Sequence, residues 1–162
     1  MDVEVLSTII KQEAILDING LYNTLTKFAD RRSYDFEETA NAEKEQDRGT
    51  ELEIKFALTK DFDDYTLFKI EIKIASRTLL PLEVETQQGK QILNQGLLAI
   101  TVNAKLVLDK KDTWKKNKFN ELIGHIYNSY IIKNKIENRY WPSLKVEADE
   151  VVSIIKESLD LY

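Results

Sequence analysis

Carboxylates, lysines and aromatic rings dominate the side chains of this sequence that could perform chemistry. The chain of 162 residues has no cysteine and one histidine. Thiolate nucleophiles, disulfides and Cys-based zinc sites are therefore excluded, and one chain cannot supply a multi-histidine metal site. Its five scattered glycines do not build a glycine-rich phosphate loop. The function classes that remain use acidic, basic or apolar surfaces.

The single histidine, His125, is the first candidate for general-base catalysis. Ser129 follows it by one helical turn, but no nucleophile motif surrounds the pair. A catalytic histidine needs a positioned partner on which to act. We therefore interpret His125 as a surface or packing residue and name no catalytic residue.

Carboxylates cluster at residues 61–64, at 37–38 and at Glu83 and Glu85. The three aspartates of 61–64 could offer oxygen ligands to Mg²⁺ or Ca²⁺, but the segment lacks the glycine and distal Glu of an EF-hand loop. Aspartates are also common in turns. The glutamate pairs could supply the acid and the base of a glycosidase-like site. We predict neither a metal nor a cofactor, and leave a carboxylate- or metal-dependent enzyme as an alternative.

The strongest binding signal is a basic, aromatic segment at 105–139. It holds 9 Lys and Arg against 4 Asp and Glu, whereas residues 1–64 hold 8 against 16, so the net charge of −5 conceals a strong asymmetry. Lysines that flank an aromatic ring can contact phosphates and stack on a base. The asymmetry also fits basic and acidic segments that face each other or face water. The candidate binding residues are Lys110, Lys111, Trp114, Lys115, Lys116, Lys118, Lys133, Lys135 and Arg139.

Four aromatic residues form a stripe at helical spacing that leads to Pro142. A stripe of this kind commonly belongs to a core. Tyr and Trp are also enriched in the parts of interfaces that contribute most to binding, so the stripe is a candidate interface. Its members are Tyr127, Tyr130, Tyr140 and Trp141.

Hydrophobic periodicity predicts the elements that must position these residues. A short first strand precedes a helix from Asp17 to Arg32, in which Leu21, Leu25 and Phe28 share one face. From 34 to 109 the period is two, with charged residues on the opposite face, as expected of an antiparallel sheet with one solvated side. The fold class is therefore α+β: an antiparallel meander of about five to six strands, covered by an N-terminal helix and two C-terminal helices.

Helical periodicity returns after Lys111 and predicts a helix from about 113 to 139. Pro142 must end or kink this helix, and it can equally open the next one. We expect a single α+β domain over residues 1–141. Residues 142–162 form an amphipathic helix, packed on the same domain or on a partner, with Leu144, Val151 and Ile155 among its apolar positions.

The N-terminal residues are acidic and no long apolar run follows them, unlike a signal peptide or a membrane span. The expected location is cytoplasmic, with no membrane contact.

Several runs resemble conserved hypothetical proteins of archaea. The runs are Tyr127-x-x-Tyr130-Ile131-Ile132-Lys133-x-Lys135-Ile136-Glu137, Tyr140, Gly49-Thr50-Glu51-Leu52-Glu53-Ile54 and Asp63-Asp64-Tyr65. This resemblance covers most of the chain and implies no activity. A curved sheet with a long C-terminal helix is also similar to the helix-grip fold of START-like lipid-binding proteins. That similarity implies a hydrophobic ligand pocket, although this sequence has one early helix where that fold has two, and two predicted helices at its end.

Three functions follow, in order of preference. The first is a non-enzymatic interaction module that binds a protein or ribonucleoprotein partner, with RNA contact possible, through the basic, aromatic region 110–141. The second is a carrier of a hydrophobic small molecule in a cavity between sheet and helix. The third is the carboxylate- or metal-dependent enzyme. A homo-oligomer is left open.

Overall fold

The computed structural model describes residues 2–108 and 133–160. Five strands and one N-terminal helix precede a helical run at the C-terminus. The elements are β1 Asp2–Leu16, α1 Ile18–Arg32, β2 Asp35–Gln46, β3 Gly49–Asp61, β4 Thr66–Thr86, β5 Gly89–Leu108, a helical turn Lys133–Lys135, a π turn Ile136–Tyr140 and α2 Trp141–Asp160.

The strands form one antiparallel sheet in the order β1-β5-β4-β3-β2. Strands β2 to β5 are a meander, and β1 lies beside β5 at the opposite edge. The α+β class and the antiparallel sheet are thus confirmed. Among the described residues the sheet has five strands of the expected five to six, because β4 runs unbroken from Thr66 to Thr86, through Pro81. The first strand is also far longer than predicted, at 15 residues.

One face of the sheet, which we call the inner face, carries the core. Ile54, Ile72 and Ile100 lie on neighbouring strands and are all buried. Residues at the intervening positions, such as Lys55 and Lys73, which are register partners, point to the opposite, outer face. Burial of one face only explains the clean alternation of apolar and charged residues in the sequence.

Helix α1 follows its predicted bounds closely. The Asp17 side chain caps its first turn by accepting a hydrogen bond from the Gly20 N–H at 3.0 Å. The helix ends at Ser33, which takes a left-handed conformation with φ 63°. Leu21, Leu25 and Phe28 are buried against the inner face, as their spacing predicts.

The chain stays helical across Pro142. A π turn, Ile136–Tyr140, comes directly before it, and the Trp141 N–H donates to the Ile136 carbonyl. Because proline cannot donate and its ring crowds the preceding turn, a π turn absorbs the misfit by widening the helix locally. Within residues 133–160, therefore, two separate helices do not meet at Trp141 as predicted. Most of the predicted helix 113–139 lies outside the described residues.

Helix α2 packs on β1, β5 and α1. Its apolar seam, Leu144, Ala148, Val151, Ile155 and Leu159, is buried throughout. The described part of the C-terminal segment therefore completes the core of the same sheet. Among the described residues, no helix has the length and apolar composition needed to cross a bilayer.

Candidate functional site

The predicted basic and aromatic residues divide into two groups. Lys110, Lys111, Trp114, Lys115, Lys116, Lys118, Tyr127 and Tyr130, together with His125, lie outside the described residues. Lys133, Lys135 and Arg139 lie on the helical run before Pro142 and are exposed. The last two aromatics differ sharply, since Trp141 is 37% exposed and Tyr140 only 1%.

A hydrogen bond from Tyr140 joins the helical run to the turn between β3 and β4. Its hydroxyl donates to Asp63 Oδ2 at 2.6 Å, while Asp63 Oδ1 accepts from the N–H groups of Tyr65 and Thr66 at 2.9 and 2.7 Å. Burial alone would raise the pKa of Asp63, but these donors outweigh it and hold that pKa below its ordinary value. Burial and then the Asp63 bond raise the pKa of Tyr140.

Arg139 contacts an aromatic ring beside Tyr140. Phe62 meets Tyr140 edge to face with ring centroids 5.4 Å apart, and the Arg139 guanidinium lies 5.2 Å from the Phe62 centroid. A cation over an aromatic face is attracted by the ring quadrupole. Arg139 thus has a contact inside the fold besides any role at a surface.

A second polar cluster joins α2 to β3 and to the end of α1. Lys60 Nζ donates to both Glu147 oxygens, at 2.8 and 2.9 Å, and to the Arg32 carbonyl at 3.1 Å. The Tyr34 hydroxyl donates to Glu147 Oε2 at 2.5 Å. Burial, followed by the bond to Glu147, raises the pKa of Tyr34.

This second cluster has the chemistry of a structural clamp. The side chains of Lys60 and Glu147 are only 15% and 12% exposed, and they form an ion pair with each other. Glu150, one turn further along α2, accepts from both Arg31 and Arg32. A buried pair of this kind is costly to break, because the remaining charge is left without compensation.

The candidate carboxylates lie on different elements. Glu83 is on an exposed hairpin, 3.7 Å from Lys90, and Glu38 is on β2. Asp63 accepts hydrogen bonds from Tyr140, Tyr65 and Thr66. In residues 2–108 and 133–160, no three His, Asp or Glu side chains are placed to hold a metal ion.

A cleft between the sheet and α1 is the counterpart of the predicted hydrophobic-ligand cavity. Its volume is about 210 Å³, and its floor is the apolar residues Leu52, Ile54 and Phe56. Asparagine and glutamate side chains, among them Asn94 and Glu38, form much of the rim. Pockets for drug-sized ligands are commonly about 300–1,000 Å³ and mainly apolar, so this cleft is small and polar for a lipid.

A larger groove, about 570 Å³, lies on the outer face of the sheet. It crosses β1, β3, β4 and β5, and its lining is predominantly apolar. Ala75 and Ala99, which are register partners, lie in it together with Leu97. Small residues at this point leave a depression among longer neighbours. Charged residues of the lining include Lys73, Glu53 and Arg77.

The groove lies where β4 bulges. Between the pairs Ala75–Ala99 and Leu80–Gln95, β4 has one residue more than β5. Two glycines accommodate the bulged backbone: a Cβ on Gly49 would lie 2.8 Å from the Leu79 carbonyl oxygen, and one on Gly96 would lie 2.8 Å from that of Thr78. Each neighbouring strand thus needs a glycine at this point.

Because of the extra residue, even-numbered side chains of β4, which point to the inner face before the bulge, point to the outer face after it. Beyond the bulge, Leu80 and Leu82 point to the outer face, and Leu93 is the register partner of Leu82. With Leu97 on the same face, they form what we call the leucine patch: Leu80, Leu82, Leu93 and Leu97. Leu80 is 56% exposed and Leu97 59%.

The leucine patch continues onto a hairpin arm, residues 80–93. The arm extends past the last pairs that β3 and β1 make with the sheet, Thr50–Leu79 and Leu16–Asn94. In the described structure neither edge of the arm is paired and no helix covers its outer face. In the sequence Leu82 and Val84 alternate with glutamates, which indicates a strand with one apolar and one charged face. The sequence could not show that the apolar face is on the outer face of the sheet.

Comparison with protein-family models, curated proteins and solved structures finds no match. The archaeal and helix-grip resemblances therefore stay predictions.

Proposed function

We propose that this protein is a non-catalytic interaction module that binds a partner protein through the leucine patch and the adjoining groove. One observation carries the proposal: Leu80 and Leu97 are more than half exposed beside a groove of about 570 Å³. Grouped leucines on a sheet face, next to a concave apolar surface, are typical of interaction sites. This surface is in addition to the basic region named from the sequence.

The charges of the groove favour an acidic partner. Glu53 lies 4.0 Å from Lys73 and 3.5 Å from Lys55, so these charges largely offset one another. Arg77 is exposed and forms no ion pair with any described residue. The occupant we propose is an apolar protein segment with a carboxylate that reaches Arg77, because a guanidinium pairs well with carboxylates at interfaces.

The shape of the surface favours a macromolecule over a small ligand. The groove spans four strands and the leucine patch extends it along the hairpin arm. Specific protein interfaces commonly bury about 800 Å² on each partner, which needs a surface of this extent. A small molecule would leave the arm leucines uncovered.

The test replaces single leucines of the patch and asks which proteins are retained. We expect Leu97→Asp and Leu80→Asp each to abolish recovery of the partner in affinity purification, since a charge on the apolar contact must be desolvated. Ile92→Asp is the matched control, because Ile92 is 76% exposed on the same arm but points to the other face.

The control decides how the result is understood. Loss with both leucine variants and retention with Ile92→Asp supports the proposal. Equal retention of every partner by all three variants overturns it, as does equal loss in all three.

The basic region 110–141 is proposed as a second contact of the same module, for an acidic protein or ribonucleoprotein partner. Its support is the charge asymmetry of the sequence and the exposure of Lys133 and Lys135.

A further inference from the structure

The two edges of the sheet differ in how they are protected against pairing. Edge strand β2 is lined with carboxylates, so two copies of it would repel each other; they are Asp35, Glu37, Glu38, Glu43 and Glu45. Strand β1 has an uncharged run from Val5 to Ile10, and Ile9 is 60% exposed. Among the described residues, no strand pairs with the side of β1 that faces away from β5. An edge strand with an uncharged run of this length is a template for another strand.

One charge of each sign brackets this uncharged run. Glu4 lies before it and Lys11 after it, and both point to the outer face because a bulge falls between Glu4 and Leu6. Neither forms an ion pair with a described residue. Asp2, by contrast, already pairs with Lys105 at 3.1 Å.

We infer that two copies of this chain pair through β1, antiparallel about a twofold axis at Thr8, and form one continuous ten-stranded sheet. In this register Leu6 of one copy lies opposite Ile10 of the other on the inner face. The bulge carries Glu4, in place of Val5, to the position opposite Lys11 of the other copy. Because the axis is twofold, each contact is made twice.

This register pairs the free edge along residues 2–13. The outward backbone N–H and C=O groups of that run find partners in the other copy. At its two ends Asp2, which already pairs with Lys105 at 3.1 Å, lies opposite Glu13. Leu6 and Ile10, each half-buried in the single chain, cover one another. The two unpaired charges meet as cross-strand opposite pairs, an arrangement that stabilises antiparallel strands.

Neighbouring registers lose these contacts. With Ser7 on the axis, Lys11 faces Asp2, which already pairs with Lys105, and Glu4 faces Ile9 with its charge unmatched. With Ile9 on the axis, Leu6 faces Gln12 and Glu4 faces Glu13, which repels it. Of these three registers, only the one centred on Thr8 pairs Leu6 with Ile10 and matches Glu4 with Lys11, the two charges that form no ion pair with described residues of the single chain.

The register is tested by exchanging the two charges. We expect the wild-type chain of 18.8 kDa to sediment with twice that mass at equilibrium. Glu4→Lys and Lys11→Glu should each weaken the dimer about tenfold, since each places like charges opposite one another at two symmetric points. The double variant E4K/K11E should restore the affinity of the wild type.

Mixing the two single variants gives a sharper test. Each repels itself, but each carries the charges that the other needs at both positions. An isotope-labelled Glu4→Lys chain and an unlabelled Lys11→Glu chain should therefore form a mixed dimer, detected by native mass spectrometry, in preference to either homodimer.

Lys44→Glu, on edge strand β2, is the control for Lys11→Glu. It makes the same change of charge away from β1 and should leave the dimer intact. A wild-type chain that stays monomeric at about 100 µM overturns the proposal. A dimer that the single variants do not weaken, or that the double variant does not restore, overturns it too. Far-ultraviolet circular dichroism confirms that each variant is folded. Leu97→Asp, which tests partner binding, leaves β1 unchanged and should still dimerise.

Discussion

At the scale of single residues, side chains that looked alike in the sequence have different roles. Tyr140 and Trp141 are adjacent in the predicted aromatic stripe, yet Tyr140 is in the core and Trp141 reaches solvent. The reason is local: the π turn ends at Tyr140 and turns it toward Asp63. Helical spacing indicates a stripe, but it cannot say which member finds a buried hydrogen-bond partner.

The glycines facing the β4 bulge lead to a prediction about stability. Gly96→Ala should destabilise the protein by about 1–3 kcal/mol, because the added methyl group would lie too close to the Thr78 carbonyl oxygen and the strands would have to shift. Urea denaturation measures the loss. Gln95→Ala, at the exposed neighbouring position, should change stability by less than about 0.5 kcal/mol. A Gly96→Ala protein as stable as the wild type would contradict this account, since alanine otherwise restricts the unfolded chain and stabilises.

At the scale of elements, the C-terminal helical run is held by an apolar seam and by several polar attachments. The seam, from Leu144 to Leu159, was visible in the sequence as helical spacing. Two of the attachments, Tyr140–Asp63 and Lys60–Glu147, join residues 77 and 87 positions apart. No periodicity relates residues so distant, so only the packed structure shows that these particular charges meet.

The Asp63 attachment predicts a dependence of stability on pH. Because the folded state lowers the pKa of Asp63, its contribution is complete above the ordinary value of 3.8 and is lost as pH falls through the folded pKa. Asp63→Asn should cost about 1 kcal/mol at pH 7 and flatten the acid side of the profile.

Asp64→Asn is the matched control for this attachment, because Asp64 is exposed in the same turn. Thermal unfolding of the three proteins is measured between about pH 2 and pH 7, which are about two units below and three units above the ordinary pKa of Asp. If Asp63→Asn retained the full acid sensitivity of the wild type, the pH dependence would have another source.

At the scale of the whole molecule, charge and apolar surface are unevenly distributed. The acidic first third includes β2, one edge of the sheet, and three residues of the basic segment, Lys133, Lys135 and Arg139, lie on the helical run before Pro142. The outer leucine patch lies on the hairpin arm. These features are the basis of the three proposed contacts: a sheet edge with an uncharged run, an apolar outer face and a basic segment.

The basic segment predicts binding that depends on salt. Replacing Lys110, Lys111, Lys115 and Lys116 by Glu should abolish recovery of an acidic or ribonucleoprotein partner. Wild-type binding should fall by at least tenfold between about 50 and 200 mM salt if several phosphates are contacted. The control reverses four exposed lysines elsewhere, Lys27, Lys44, Lys90 and Lys156, for the same change of net charge. Equal recovery with both quadruple variants would remove the basic segment from the binding surface.

The sequence by itself determined the local structure of this protein. Alternation around Ile54 and Ile72 predicted antiparallel strands, and the spacing of Leu21, Leu25 and Phe28 predicted helix α1, because the side-chain period depends on neighbours in the chain. Tertiary structure decided what depends on distant partners. One extra residue in β4 turned Leu80 and Leu82 outward, and pairing with β5 left β1 as an edge. Which face of a strand is buried depends on its register with the neighbouring strands, and the sequence of one strand does not show that register.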